Sequence, residues 1–193
     1  MIPIQYALRR RMMASVGGDA PFAFEYTGDY TDDRDANGVG TIEFTSSGTL
    51  TVLSGAATVS VYILAGGGGG ITSYDDYASV SGGGGGNQTV EVELAPGTYE
   101  IVIGTGGEGK TTKYGGLYAG NGGNTTAFGK TSTGGGGAET YSAFLPGTGG
   151  TPNGGKGSVG KFSSGGFPNG GASNGSSAAA NKGGNGLVRI TFS

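Results

Sequence analysis

Apolar and polar residues alternate with a period of two in several short stretches, and each stretch runs into glycine. In residues 58–64, TVSVYIL, Val59, Val61 and Ile63 alternate with Ser60, Tyr62 and Leu64. That is the pattern of a half-buried strand, and its β-branched content suits a pleated surface. Five consecutive glycines follow at residues 66–70. The device recurs at residues 99–109, YEIVIGTGGEG, and in reverse at residues 183–192, GGNGLVRITF. Residues 88–94, QTVEVEL, set Val90, Val92 and Leu94 on one face. Pro96 and Gly97 suit the centre of a type II turn, so residues 99–103 are expected to return as the hairpin partner. Upstream, Phe22, Phe24 and Tyr26 alternate with Ala23, Glu25 and Thr27, and residues 41–44 and 49–53 read as strands around a Ser46-Ser47-Gly48 turn.

One segment reads as a helix, residues 1–15. Pro3 suits a first helical turn. Ile4, Leu8 and Met12 recur at i, i+4 and i+8 on one face, with Arg9, Arg10 and Arg11 around them. About ten helical residues are marginal alone in water, so this helix needs a partner surface and is the candidate attachment segment. The expected fold is all-β: a small antiparallel β-framework carrying a glycine-rich bundle of polyglycine II helices, with a short N-terminal helix. Three regions are expected: attachment helix and linker over 1–20, a small β-rich region over 21–57, and the glycine-rich domain over 58–193.

Composition sharpens this picture. The 193 residues include 47 Gly and 6 Pro, a proportion at which low complexity becomes the default expectation. Two features oppose disorder: 10 Tyr and 8 Phe punctuate the tracts, and the chain closes on a clean strand that needs pairing. Glycine does not recur at every third residue, which excludes collagen. An ordered glycine tract gives up about 1–2 kcal/mol of backbone entropy per residue and gains nothing from side-chain burial. It recovers that cost only through backbone hydrogen bonds. The left-handed extended helix with three residues per turn has no internal bonds and points its N–H and C=O groups sideways. Without side chains, neighbouring helices of this kind can bond laterally.

Charge and residue types exclude several functions. A net charge of -3 with 13% charged residues gives no footprint for nucleic acid. The absence of Cys and His removes disulfides, thiolate chemistry and imidazole catalysis. No apolar run is long enough for a membrane span, and Arg9 to Arg11 precede no apolar stretch of the kind a secretory signal has. The expected site of synthesis is therefore the cytoplasm.

Three catalytic-looking motifs fail on inspection. Residues 104–111, GTGGEGKT, match a phosphate-binding loop letter for letter. That loop needs a helix to open behind it, and TKYGGLYAGNGGN cannot form one. Residues 33–38, DRDANG, match the first half of a calcium loop, but Glu43 sits one place early for the closing ligand. Adjacent Asp75 and Asp76 do not fix the separation a glycosidase pair requires. No enzyme activity, metal or cofactor is expected.

The segments LAGGGGG, ELAPGTYEIVIGTGG, TTAFG (residues 125–129) and GGNGLVRITFS, in that order, resemble the glycine-rich domains of bacteriophage tail fibres and tail-tip adhesins. The resemblance covers about residues 58–193. The opening MIPIQYALRRRMM also resembles the N-terminus of virion proteins from prophages of gut Firmicutes. The resemblance implies a sandwich of polyglycine II helices on a small β-core, a place on the virion, and host-surface binding by loops at one tip. It implies other virion proteins as partners through the N-terminal segment, a host glycan or outer-surface protein as receptor, and a homo-oligomer, with a trimer among the fibre symmetries. The alternative is a structural capsid, neck, fibre or baseplate protein that binds no receptor.

Binding is assigned to the segments joining glycine tracts. The candidate contacts are Tyr74, Asp75, Asp76 and Tyr77; Tyr114 and Tyr118; Tyr141 and Phe144; and Phe162 and Phe167. Tyrosine supplies rigid amphipathic contact area at low entropic cost. The other use for each ring is to cap the β-core or plug the lattice edge.

Overall fold

Period-two alternation becomes strand wherever the tracts do not interrupt it. The computed structural model describes residues 21–73, 79–112, 117–140, 144–159, 165–166, 168–169 and 181–193. Among them are β1 (Ala23–Tyr26), β2 (Tyr30–Asp32), β3 (Gly40–Phe44), β4 (Gly48–Ser54), β5 (Ala57–Leu64) and β6 (Ile71–Ser73). There follow β7 (Asn87–Leu94), β8 (Gly97–Val102), β9 (Lys110–Thr112), β10 (Thr125–Ala127), β11 (Lys130–Ser132) and β12 (Leu187–Phe192). One antiparallel five-stranded sheet runs β1-β4-β8-β10-β11 and the other β2-β3-β12-β5-β7, while β6 and β9 pair in parallel. The all-β class and antiparallel framework are as expected. The helix predicted over residues 1–15, with Ile4, Leu8, Arg9, Arg10, Arg11 and Met12, lies outside the described residues.

The two sheets enclose one apolar core. Val59, Val61 and Ile63 face it from β5, Val188 and Ile190 from β12, Ile42 and Phe44 from β3, and Leu50 and Ile101 from the opposite sheet, all buried. Segments 21–57 and 58–193 share both sheets, because β4 pairs with β8 and β3 pairs with β12. At one end of the sandwich the buried Arg34 guanidinium sits 4.9–5.6 Å from the rings of Phe22, Phe24 and Phe192. Its Nε and Nη2 each donate to the Asp32 carboxylate at 2.9 Å. This pair locks the start of β1 to the end of β12.

The connection at Pro96 and Gly97 is a correction to the sequence reading. β7 pairs with β5, whereas β8 pairs with β4 and β10, so the chain crosses from one sheet to the other rather than forming a hairpin. Gly97 lacks the positive φ that a type II turn requires at its third residue. Tyr99 fixes the corner instead: its hydroxyl donates to the Ala95 carbonyl at 2.9 Å and accepts from the Ala95 N–H at 3.3 Å. The true tight hairpin joins β10 to β11. Phe128 (φ 51) and Gly129 (φ 70) both take the left-handed conformation of a type I′ turn.

Beyond the sandwich the glycine tracts are extended rods bonded side to side. Ala65 and Gly68 donate to Gly86 and Gly83, Gly66 and Gly69 to Gly123 and Gly120, and Gly67 and Gly70 to Gly184 and Asn181, at 2.7–3.0 Å. The carbonyls of Gly66 and Gly69 accept from Gly135 and Ala138, and those of Gly67 and Gly70 from Gly107 and Lys110. Each neighbour is met at every third residue, as three residues per turn require. The rod at 65–70 is thus surrounded. Residues 80–86 form a second interior rod, bonded to 133–136, 147–150, 155–158 and 166–168. A Cβ built on Gly68 would lie 1.9 Å from the Gly136 carbonyl oxygen, and one on Gly106 would lie 1.8 Å from that of Gly183. Only hydrogen fits there.

At the outer rods, asparagine supplies the acceptor that a missing neighbour would have supplied. Oδ1 of Asn121 accepts from Gly137, that of Asn124 from Gly134, and that of Asn185 from Gly106, at 2.8–3.0 Å. The spacing of Asn121 and Asn124 matches that of Gly137 and Gly134, again one turn of the rod.

Gly68→Ala is expected to be destabilising by about 3 kcal/mol or more, because backbone must separate to admit the methyl group. Gly97→Ala, where the nearest atom to a Cβ is 3.8 Å away, is expected to stay within about 1 kcal/mol of wild type. Thermal unfolding of the two variants checks this, and equal shifts would contradict the lattice. A second expectation concerns alkaline pH. The Tyr26 hydroxyl donates to the Ser46 carbonyl at 2.6 Å, and burial, followed by the Asp29 charge, pushes its pKa up to about 12. The folded chain therefore prefers the neutral phenol. The contribution is complete below the unfolded value near 10 and is lost as pH rises through about 12. Tyr26→Phe should cost about 1 kcal/mol at neutral pH and flatten part of the alkaline fall in melting temperature. Burial shifts Tyr62 in the same direction, so some slope remains.

Candidate functional site

The rods alternate in direction, and this places the joining segments. Residues 65–70 leave the sandwich and 80–86 return, since Ala65 meets Gly86 and Gly68 meets Gly83. By the same reading 104–110, 133–138 and 154–158 run outward, and 117–124, 145–150 and 181–186 run back. The far end of the lattice is therefore where 73 and 79, 112 and 117, 140 and 144, and 159 and 165 enter and leave the intervening segments. The anchors touch one another there. Ile71 bridges Val80, Val80 bridges Val159, Tyr118 bridges Glu139 and Glu139 bridges Leu145. β6 and β9 lie side by side in register, Ile71 against Lys110.

A second small core supports this end. Ile71, Val80 and Ala138 are fully buried, with Leu117 and Ala119 packed against them. Ile71 and Val80, in the stretch between two glycine tracts, are buried plugs and not contact residues. Asn181, wholly buried, donates from Nδ2 to the Lys110 carbonyl and accepts at Oδ1 from the Thr72 hydroxyl. Glu108 and Lys182 form an exposed ion pair at 2.8 Å, and Lys182 holds the Glu108 carboxyl below its usual range.

Above that floor four large apolar side chains are exposed. Tyr118 is 59% exposed, Phe144 40%, Leu145 49% and Val159 48%. Paired residues of an antiparallel bridge share a face, so Tyr118, Glu139 and Leu145 make a row of aromatic, carboxylate and aliphatic side chains. Of the residues singled out from sequence, Tyr118 and Phe144 stand at this end. Tyr74, Asp75, Asp76, Tyr77, Tyr114, Tyr141 and Phe162 lie outside the described residues, although the residues flanking their segments converge here. Phe167 also lies outside them, but its flanks belong elsewhere: Gly166 donates to Gly82, and the Pro168 carbonyl accepts from Gly85, partway down the lattice. Leu145 and Val159 escaped the sequence reading, which searched for aromatic and charged side chains.

The segment that resembles a phosphate loop is an outward rod, and four of its N–H groups are bonded within the lattice. Gly104 donates to Thr125 Oγ1, Gly106 to Asn185 Oδ1, Gly107 to the Gly67 carbonyl and Lys110 to the Gly70 carbonyl, at 2.8–3.0 Å. In the calcium-like loop the Asp35 carboxylate accepts from the N–H groups of Asn37 and Val39, and Asp32 is engaged by Arg34. Among the described residues there is no cluster of three or more His, Cys, Asp or Glu arranged to hold a metal.

A comparison with curated proteins finds no match. A family model described as a glycine-rich domain matches residues 44–192, a range that runs from the end of β3 through the glycine lattice to the end of β12 and leaves out β1 and β2. The chain belongs to that glycine-rich domain family.

Proposed function

We propose that the chain is a receptor-binding module of a phage or prophage virion, a tail fibre or tail-tip component. The far end of its lattice meets a glycan or outer-surface protein of the host, and the sandwich end joins it to the particle. The observation that carries this reading is the polarity of the molecule. Residue 21, which follows the arginine-bearing N-terminal segment, and Ser193 sit at the sandwich end, where the Ser54 hydroxyl donates to Pro21 and Phe192 pairs with Gly40. The candidate contact segments are anchored at the opposite end. Tyr118, Phe144 and Leu145 present there the rigid aromatic and aliphatic area that recognition surfaces use.

Fluorescently labelled full-length chain, applied to a panel of gut Firmicutes and to their isolated envelope glycans, tests the reading. Saturable binding to some of these cells is expected. A Tyr118→Ser, Phe144→Ser double variant should melt like wild type, because both side chains are exposed, and should bind at least about tenfold more weakly. Absence of binding across the panel, or undiminished binding by the double variant, would return the chain to a purely structural place on the particle.

A further inference from the structure

The sandwich end holds a buried charged donor with nothing to bond. Arg34 is 4% exposed. Its Nε and Nη2 are taken by Asp32, and its Nη1 has no acceptor. A buried donor left open is costly, the more so when charged. The rings around the guanidinium belong to Phe22, Phe24 and Phe192. Phe22 follows Pro21, whose carbonyl accepts from the Ser54 hydroxyl. Residues 1–20 therefore join the described chain beside the open donor.

The surface around that donor has a definite character. The Asp33 N–H donates to the Thr41 carbonyl at 2.9 Å, which carries the β2–β3 ladder one residue further. Strand side chains alternate between faces, so Asp32 turns inward to Arg34 while Asp33 turns outward with Thr31. Across the next turn the Asp35 N–H donates to the Val39 carbonyl at 2.8 Å, and the Asp35 carboxylate accepts from the Val39 N–H. Asp33, Asp35 and Val39 are all exposed. No lysine or arginine among the described residues pairs with either carboxylate. The patch is an aliphatic side chain between two free acids, next to a buried N–H that lacks an acceptor.

The chain carries a complement to it. Residues 1–20 hold Arg9, Arg10 and Arg11 against one acid, Asp19, with Ile4, Leu8 and Met12 at helical spacing. Residues 12–20 reach up to about 30 Å when extended, against a spacing of about 10 Å between packed sheets. So short a tether gives an effective concentration on the order of millimolar, and a weak contact is then largely occupied.

We propose that this end of the sandwich is the docking site of the chain's own N-terminal segment. Arginines of the 9–11 run meet Asp33 and Asp35, the apolar face of the segment covers Val39, and one of its main-chain carbonyls accepts from Arg34 Nη1. The docked segment closes the end of the apolar core where the open donor lies. The proposal is independent of what the far end of the lattice binds.

The test uses full-length chain. The sequence has no cysteine, so Ala7→Cys takes a single nitroxide. In ¹⁵N-labelled chain the nitroxide is expected to broaden the amide signals of Asp33, Asp35, Val39 and Thr41 and to leave those of Gly120, Thr126 and Thr131 intact. Replacing Arg9, Arg10 and Arg11 by Gln, or adding salt to about 0.5 M, should restore the broadened signals. The Arg34 side-chain N–H signals should exchange with water faster in the Gln variant than in wild type. A mixture of nitroxide-bearing unlabelled chain with ¹⁵N chain lacking the nitroxide should show no broadening. Broadening in that mixture would assign the segment to a second copy and overturn the proposal. So would intact signals at the sandwich end, broadening that survives the arginine replacement, or Arg34 exchange that the replacement leaves unchanged.

Discussion

Lateral hydrogen bonding between bare backbones is the constraint on which the molecule depends. Each rod residue brings one donor and one acceptor, and neither is satisfied within its own rod. A bonded contact yields about 0.5–1.5 kcal/mol net, against about 1–2 kcal/mol of backbone entropy. A glycine lattice is therefore close to balance by itself. The apolar core that joins Ile42, Phe44, Val61, Ile63, Ile101, Val188 and Ile190 supplies the surplus. It also fixes the rod origins, because Leu64, Asn87, Thr125 and Leu187 end or begin strands at the lattice boundary. The smaller cluster of Ile71, Val80 and Ala138 clamps the other end. The rods span two apolar clamps.

The same constraint explains where side chains occur. Positions that face a neighbouring rod are glycine, because a Cβ there meets a carbonyl oxygen. Asparagine recurs where a rod faces outward, because its amide completes the bonding that the missing neighbour leaves open. Charge collects at the exterior, as in the Glu108–Lys182 pair. At the opposite extreme Arg34 is buried, and its Nη1 has no acceptor. Its bidentate bond to Asp32 and three surrounding rings offset that cost.

Much of the framework was legible because alternation is a local signal. β1, β3, β4, β5, β7, β8 and β12 all fall on stretches that alternate in sequence. What failed was partnership. Pro96 and Gly97 carry hairpin chemistry, yet the chain there changes sheets, because Val92 and Leu94 pair along β5 while Tyr99 pairs with Leu50 and Ile101 with Gly48 in the opposite sheet. The β10–β11 hairpin was hidden for the converse reason: a type I′ turn is expected at Asn-Gly, and here Phe-Gly forms it, held by packing against Tyr99. β2, β6, β9 and β11 are three-residue strands without a usable period. At the candidate site, Tyr118 and Phe144 could be picked out as aromatics beside glycine tracts. Their convergence could not, because rod direction depends on which tracts bond to which.

The reversal of direction at each rod has a bearing on variation. The residues at the far end that flank the joining segments are held in place by the lattice beneath. Lengthening a flexible closure twofold costs only about 0.6 kcal/mol. Insertions and substitutions between 73 and 79 or between 140 and 144 would leave the bonding of Gly70, Val80 and Ala138 untouched. A chain with this design separates what must stay fixed from what can drift. Novelty can accumulate at one pole while inheritance of the fold is secured at the other.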